Sequence, residues 1–135
     1  SQDFETILAA AESTRTQPHI RGVVLGDGRQ RAWVAAEIQR RQLANVRLLG
    51  HFPKARMPAF FSFADVMLVS LRREPIFALT IPAKIQAYLA CGKAIVASLD
   101  GEGARIIEEA KAGVVVRKLF RILCKHPAAT AYDQH

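Results

Sequence analysis

Two stretches of this chain, "DVMLVSL" at 65–71 and "KAIVASL" at 93–99, are apolar at nearly every position. A strand with one face in water alternates apolar and polar residues, whereas a strand apolar on both faces must be covered on both. That requirement restricts the fold more than any other feature of the sequence. Around these runs lie segments with helical spacing. Phe4, Ile7, Leu8 and Ala11 predict a helix over 3–16, and Trp33, Val34, Ile38 and Leu43 a second over roughly 29–43. "MPAFFSFA" reads as a short helix. A longer one over about 82–91 has Thr80 as its cap and Pro82 near its first turn. "ARIIEEAKA" is the last, ended by Gly113, and "IRGVVLGDG", "NVRLLG" and "VVV" supply further strands. The expected fold is therefore α/β, a Rossmann-like doubly wound parallel sheet with helices on both faces.

At 135 residues, half of them hydrophobic, the chain can bury the core of one domain. No apolar run approaches the ~20 residues of a membrane span, and "SQDFETILAAAE" has neither the basic start nor the apolar centre of an export signal. Cys91 and Cys124 lie far apart without metal-ligand spacing, and read as buried free thiols of a cytoplasmic protein. The net charge is +7, and residues 117–135 hold +3 of it through Arg117, Lys118, Arg121 and Lys125 against Asp133. No nucleic-acid recognition motif accompanies this charge, so nucleic acid is not an expected partner. A solvated basic face, or weak peripheral attraction to anionic lipid at the inner face of the membrane, explains it.

In open α/β sheets, ligands bind beyond the carboxyl ends of the strands. Four loops qualify. The first carries Gly26, Asp27 and Gly28, and the second Gly50, His51 and Phe52. The third runs from Glu74 to Thr80, Ala83 and Lys84, and the fourth holds Asp100, Gly101, Glu102 and Gly103. Glycines admit close backbone approach, and helix N-termini offer unpaired N–H groups to phosphate. Thr80 to Lys84 would set a hydroxyl, free N–H groups and an ammonium at one mouth, which suits a diphosphate. An ordinary capped helix with a solvated lysine is the plainer alternative. Asp100 and Glu102 would accept hydrogen bonds from sugar hydroxyls, or cap the helix that follows. No Ser–His–Asp set, close carboxylate pair or metal cluster is discernible.

The order of "GVVLGDGRQR", "NVRLLGHFPKARMPAFFSFADVMLVSL" and "IPAKIQAYLACGKAIVASLDGEGARIIEEAKAGVVV" resembles the C-terminal, donor-binding half of family 4 (group 1) glycosyltransferases. The nearest resemblance is to the bacterial enzymes of surface-polysaccharide synthesis. It covers roughly residues 2–116 and is specific to the family, not to one sugar. It implies a GT-B architecture, with a nucleotide-sugar donor held here and a lipid-linked or saccharide acceptor held mainly by an N-terminal domain. The implied reaction is a sugar transfer, with a uridine diphosphate sugar as the foremost donor and retention at the donor carbon. No metal or other cofactor is implied, because helix N-termini and basic groups stabilise the departing diphosphate. Gly50 to Pro53 would lie beside the base, the 100–103 loop would face the sugar, and Thr80, Ala83 and Lys84 would be nearest the phosphates.

The resemblance has departures. The positions of two family glutamates fall on Leu79 and Ala87, which leaves Glu74, Gln86 and Glu102 as candidates for the ribose. The family's first strand would precede Ser1, so residues 1–116 are expected to form a partial domain with a bare edge or gap in its sheet. Residues 117–135 are expected as an atypical basic tail, a short helix followed by disorder. As such the chain would be inactive alone. A nucleotide-sugar epimerase of the same fold and a non-catalytic fragment are the alternatives.

Overall fold

The computed structural model describes residues 3–26, 28–71, 79, 81 and 83–115, together with the backbone of 130–132. Asp27, Glu74, Thr80 and Cys124 lie outside the described residues. Among the described residues, five α-helices alternate with strands. These are α1 (Phe4–Ser13), α2 (Arg31–Arg40), α3 (Met57–Phe63), α4 (Ala83–Ala90) and α5 (Glu102–Glu109). The strands are β1 (Gly22–Leu25), β2 (Val46–Leu49), β3 (Met67–Ser70), β4 (Ile95–Ser98), β5 (Gly113–Val115) and β6 (Thr130–Tyr132). Among the described residues they form one sheet, ordered β2-β1-β6-β3-β4-β5, and every pairing is parallel.

The two apolar runs that define the fold become β3 and β4, paired from Met67 with Ile95 to Ser70 with Ser98 and buried at all four positions of each. Alternate residues serve opposite layers. Val24, Val46, Leu68 and Val96 pack with Phe4, Ile7 and Leu8 of α1 and Val34 of α2. Leu25, Met67, Val69, Ile95 and Ala97 pack with Phe61 of α3, Ile85 and Tyr88 of α4, and Ile107 of α5. Helices thus cover both faces, as a two-faced apolar strand demands. Leu8, Ile85 and Ile107 are fully buried, and each such side chain contributes about 1.5–3 kcal/mol. Trp33, part of the spacing that predicts α2, is 40% exposed; Val34 alone of that helix is buried. Cys91, expected buried, is a free thiol exposed at the end of α4.

The expected gap in the sheet is filled. β6 lies between β1 and β3, with Val24 and Leu25 opposite Ala131 and Tyr132, and Met67 and Leu68 opposite Thr130 and Ala131. The physical reason is the cost of leaving buried N–H and C=O groups unpaired along two central strands. Part of the segment expected as a basic tail therefore belongs to the sheet.

α1 starts at the carboxyl edge, where the Asp3 N–H donates to the Ser70 carbonyl at 2.6 Å. Asp3 caps it, accepting from the Thr6 N–H at 3.3 Å and the Thr6 hydroxyl at 2.7 Å. At the amino edge three helices end alike. Gln42 (φ 55°), Gly92 (φ 68°) and Lys111 (φ 51°) take left-handed backbone, and the next N–H reaches back to Ile38, Tyr88 and Ile107 respectively. These are Schellman turns. The turn at Gly92 explains why a helix ending in "ACGK" leads directly into a buried strand.

Away from the site, Arg41 clasps α1 to α2. Its guanidinium reaches Glu5 at 2.8 Å, Glu37 at 3.1 Å and Glu12 at 3.3 Å, while its side chain is only 8% exposed. Glu37 also pairs with Arg40 at 2.5 Å. The Arg40 hydrogen bond, joined by that of Arg41, holds the Glu37 carboxyl down to about 2 against the opposing push of burial. A carboxyl depressed on folding adds stability above its unfolded pKa, and that stability is lost as pH falls through the folded value. Acidification from pH 5 to pH 2 should therefore lower the melting temperature progressively, and Glu37→Gln should flatten that part of the profile.

Two backbone positions give opposite expectations. A Cβ on Gly113 would sit 1.8 Å from the Ile95 carbonyl oxygen, so Gly113→Ala should cost about 3 kcal/mol by forcing β5 off β4. Lys111 already bears the left-handed strain, so Lys111→Gly should add about 1 kcal/mol. Denaturant midpoints check both, and equal midpoints for the two variants would contradict this account.

Candidate functional site

Because all strands run parallel, the loops after β1, β2, β3 and β4 emerge at one edge of the sheet. Among the described residues, the order reverses at the seam between β6 and β3: the chain moves outward from β1 to β2 on one side, and from β3 to β4 to β5 on the other. In open α/β sheets the ligand crevice lies where such loops part.

On the β1–β2 side, the first two loops are joined directly. The Gly26 N–H donates to the Gly50 carbonyl at 3.2 Å, and Gly26 has a φ of 132°, a backbone that a side chain would strain. Gly28 accepts at its carbonyl from the Arg31 N–H at 3.1 Å, forming the turn that opens α2. The Arg31 guanidinium lies across the second loop, its Nη1 3.3 Å from where a Cβ on Gly50 would stand. Gly50 thus makes room for a cation. His51 is exposed beside it, and Phe52 is half-buried. Phe52 packs on Phe60 with ring centroids 4.6 Å apart. The Arg56 guanidinium lies over both rings, at 5.4 and 5.9 Å, a cation–π arrangement that fixes the second loop to α3.

On the other side, β3 and β4 end in Ser70 and Ser98, neighbours in register and both buried. The Ser70 hydroxyl finds no partner in the described structure. Ala83 is exposed and Lys84 half-buried in the first turn of α4, and Gln86 is exposed one position past the buried Ile85. Asp100 is exposed in the fourth loop, followed by Gly101 with φ 78° as the residue before α5. Glu102 opens that helix, and its carboxylate pairs with Arg105 at 2.6 Å. Arg105 in turn holds Glu109 at 2.8 Å. The Arg105 hydrogen bond pulls the Glu102 carboxyl below the usual carboxylate range. Gly103 is buried within the first turn.

Of the sequence-derived candidates, Gly26, Gly28, Gly50, His51, Phe52, Ala83, Lys84, Asp100, Gly101, Glu102 and Gly103 belong to loops or helix starts at this one edge. Asp27, Glu74 and Thr80 lie outside the described residues. Glu102 fits the helix-start alternative, since its partner is on its own helix. The structure adds Arg31, Arg56 and Ser70. The repeated strand endings "MLVS" and "IVAS" carry a signal for the serine pair; Arg31 depends on Gly50, nineteen residues later, and has no local signal.

The described loops after β1, β2 and β4, the start of α4 and the guanidinium groups of Arg31 and Arg56 thus share one edge. The family model described as glycosyl transferases group 1 matches residues 1–120. The chain belongs to the group 1 glycosyl transferases. Neither the search of curated proteins nor that of solved structures gave a match. Glycosyl transfer from a sugar donor to an acceptor is the chemistry that family membership brings. Among the described residues, no helix is long and apolar enough to cross a membrane.

The atom that meets a Gly50 Cβ is the end of a flexible side chain that need give only slightly, so Gly50→Ala should cost under about 1 kcal/mol in a denaturant titration. A larger loss would show that the Arg31 guanidinium is fixed where it lies.

Proposed function

We propose that this chain is the donor-binding half of a family 4, GT-B glycosyltransferase of the bacterial surface-polysaccharide type. The donor is a nucleotide sugar, with UDP-sugar the foremost case, and the acceptor is lipid-linked or saccharide, held mainly by a second, N-terminal domain. On this reading residues 1–116, completed by β6 in the middle of the sheet, form the nucleotide-sugar-binding unit, and the enzyme works in the cytoplasm against the inner face of the membrane.

The observation that carries the proposal is that the described loops after β1, β2 and β4 and the start of α4 share one carboxyl edge in a chain of this family. The β1–β2 side, with Gly26, Gly28, Gly50, His51, Phe52 and Arg31, takes the nucleoside. Its glycines allow close approach, and Phe52 is held in place by Phe60 and Arg56. The start of α4 takes the diphosphate, through backbone N–H groups near Thr80 and Ala83 and the ammonium of Lys84. Asp100 and the fourth loop face the sugar hydroxyls, with Glu74, Gln86 and Glu102 the candidates for the ribose.

In the reaction the bond from the sugar's anomeric carbon to the diphosphate oxygen breaks. A bond to the acceptor oxygen forms, and the acceptor's proton leaves. Charge develops on the diphosphate, and groups that meet it best in that state accelerate the step. Retention at the donor carbon follows from attack on the face the diphosphate leaves.

A thermal melt with millimolar UDP, GDP or ADP tests the reading. UDP should raise the transition; at a hundred times the dissociation constant the gain is about 2.7 kcal/mol. Lys84→Ala should shrink the UDP shift. A transition unmoved by all three nucleotides would overturn the donor-binding assignment.

A further inference from the structure

Among the described residues, β6 is the one strand paired with both halves of the sheet. β1 and β2 lie on one side of it and β3, β4 and β5 on the other, and β1 and β3 share no ladder. The candidate site divides along the same line, two loops per half. β6 is therefore the spacer that sets the distance between the two halves of the site.

We infer that docking of residues 130–132 between β1 and β3 and binding of a nucleotide at the carboxyl edge are coupled, each raising the affinity of the other. The inference rests on the nucleotide reading proposed above.

The geometry supplies the coupling. Adjacent strands lie about 4.8 Å apart, so β1 and β3 stand about 10 Å apart with β6 between them. If β6 leaves, their facing N–H and C=O groups are either exposed unpaired or paired with each other. Pairing moves one half by about 5 Å toward the other. A ligand whose base sits on the β1–β2 side and whose phosphates sit at α4 then meets only one half of its contacts. Binding that needs both halves selects the state with β6 docked, and linkage makes the effect reciprocal.

β6 is also suited to leave. Central strands of parallel sheets are runs of Val, Ile and Leu, as in "GVVL", "MLVS" and "IVAS", whereas β6 reads "TAY" and spans three residues. The centre of the sheet is occupied by the strand whose sequence holds it least. Opening of such a segment costs less than global unfolding.

Hydrogen exchange on the full chain tests this, with UDP as the probe. In wild type, UDP should slow exchange in peptides covering 130–132, Gly22–Leu25 and Met67–Ser70 together. Ala131→Pro removes a ladder donor from β6 and, without nucleotide, should speed exchange in β1 and β3; UDP affinity should fall about tenfold, within the usual range of coupling. If the variant does not fold, the wild-type measurement decides alone. UDP bound with no added protection at 130–132 overturns the coupling, as does a folded Ala131→Pro chain that binds UDP like wild type. Unchanged exchange in β1 and β3 of that variant overturns the spacer role of β6. A wild-type chain that binds no UDP, GDP or ADP sinks the nucleotide reading and with it the coupling, while the exchange of Ala131→Pro still reads the strand by itself.

Discussion

Every buried N–H and C=O of a parallel sheet must find a partner, and the most demanding place is the middle, where a strand is flanked on both sides and covered above and below. In this chain that middle lies between β1 and β3. The layers of apolar side chains around it are well formed on both faces, but side-chain packing cannot satisfy backbone polarity. A strand is required, and β6 supplies it. The positions of α1 over the seam and of the two loop pairs follow from that occupancy.

Parallel pairing has a second consequence, which separates scaffold from site. Helices in a doubly wound sheet begin where strands end, so their N-termini with free N–H groups gather at the carboxyl edge. Their C-termini gather at the other edge. There the chain turns on left-handed residues, Gln42, Gly92 and Lys111, each closing a Schellman turn. Lys93 adds to this edge by donating to the carbonyls that end α3, Ser62 at 3.2 Å and Ala64 at 3.0 Å. One edge is thus spent on ending helices, and the other is left with donors to offer a ligand.

The elements that local pattern defines were legible in the sequence. β3 and β4 read as strands because nearly every position is apolar, and α1 because Phe4, Ile7 and Leu8 recur at helical spacing. The doubly wound order followed from their alternation. What could not be read depends on pairs far apart in the chain. "TAY" carries no pattern, and its place in the sheet is dictated by the groove that β1 and β3 leave open. Arg31 reads as one cation in "GRQR" until folding sets it over Gly50. Glu102 was open between ligand and helix start, and Arg105 one turn on gives it a local partner. Cys91 and Trp33 show the converse: residue type suggested burial, and their positions at a helix end and on an outward face gave exposure.

The distribution of charge connects these points to chemistry. A net charge of +7 on a chain this small repels itself and is tolerated best where acids neutralise it. Arg40 and Arg41 share Glu5, Glu12 and Glu37, and Arg105 sits between Glu102 and Glu109. The segments 28–31 and 50–57 differ, holding Arg29, Arg31, Lys54 and Arg56 without a carboxylate. Both lie at the carboxyl edge, one opening α2 and the other linking β2 to α3. The positive ends of helices face the same way, so side-chain charge and backbone dipole add in one place. Like charges gathered at one edge repel one another. An anion bound there would relieve that repulsion, which is the electrostatic argument for the proposed donor site.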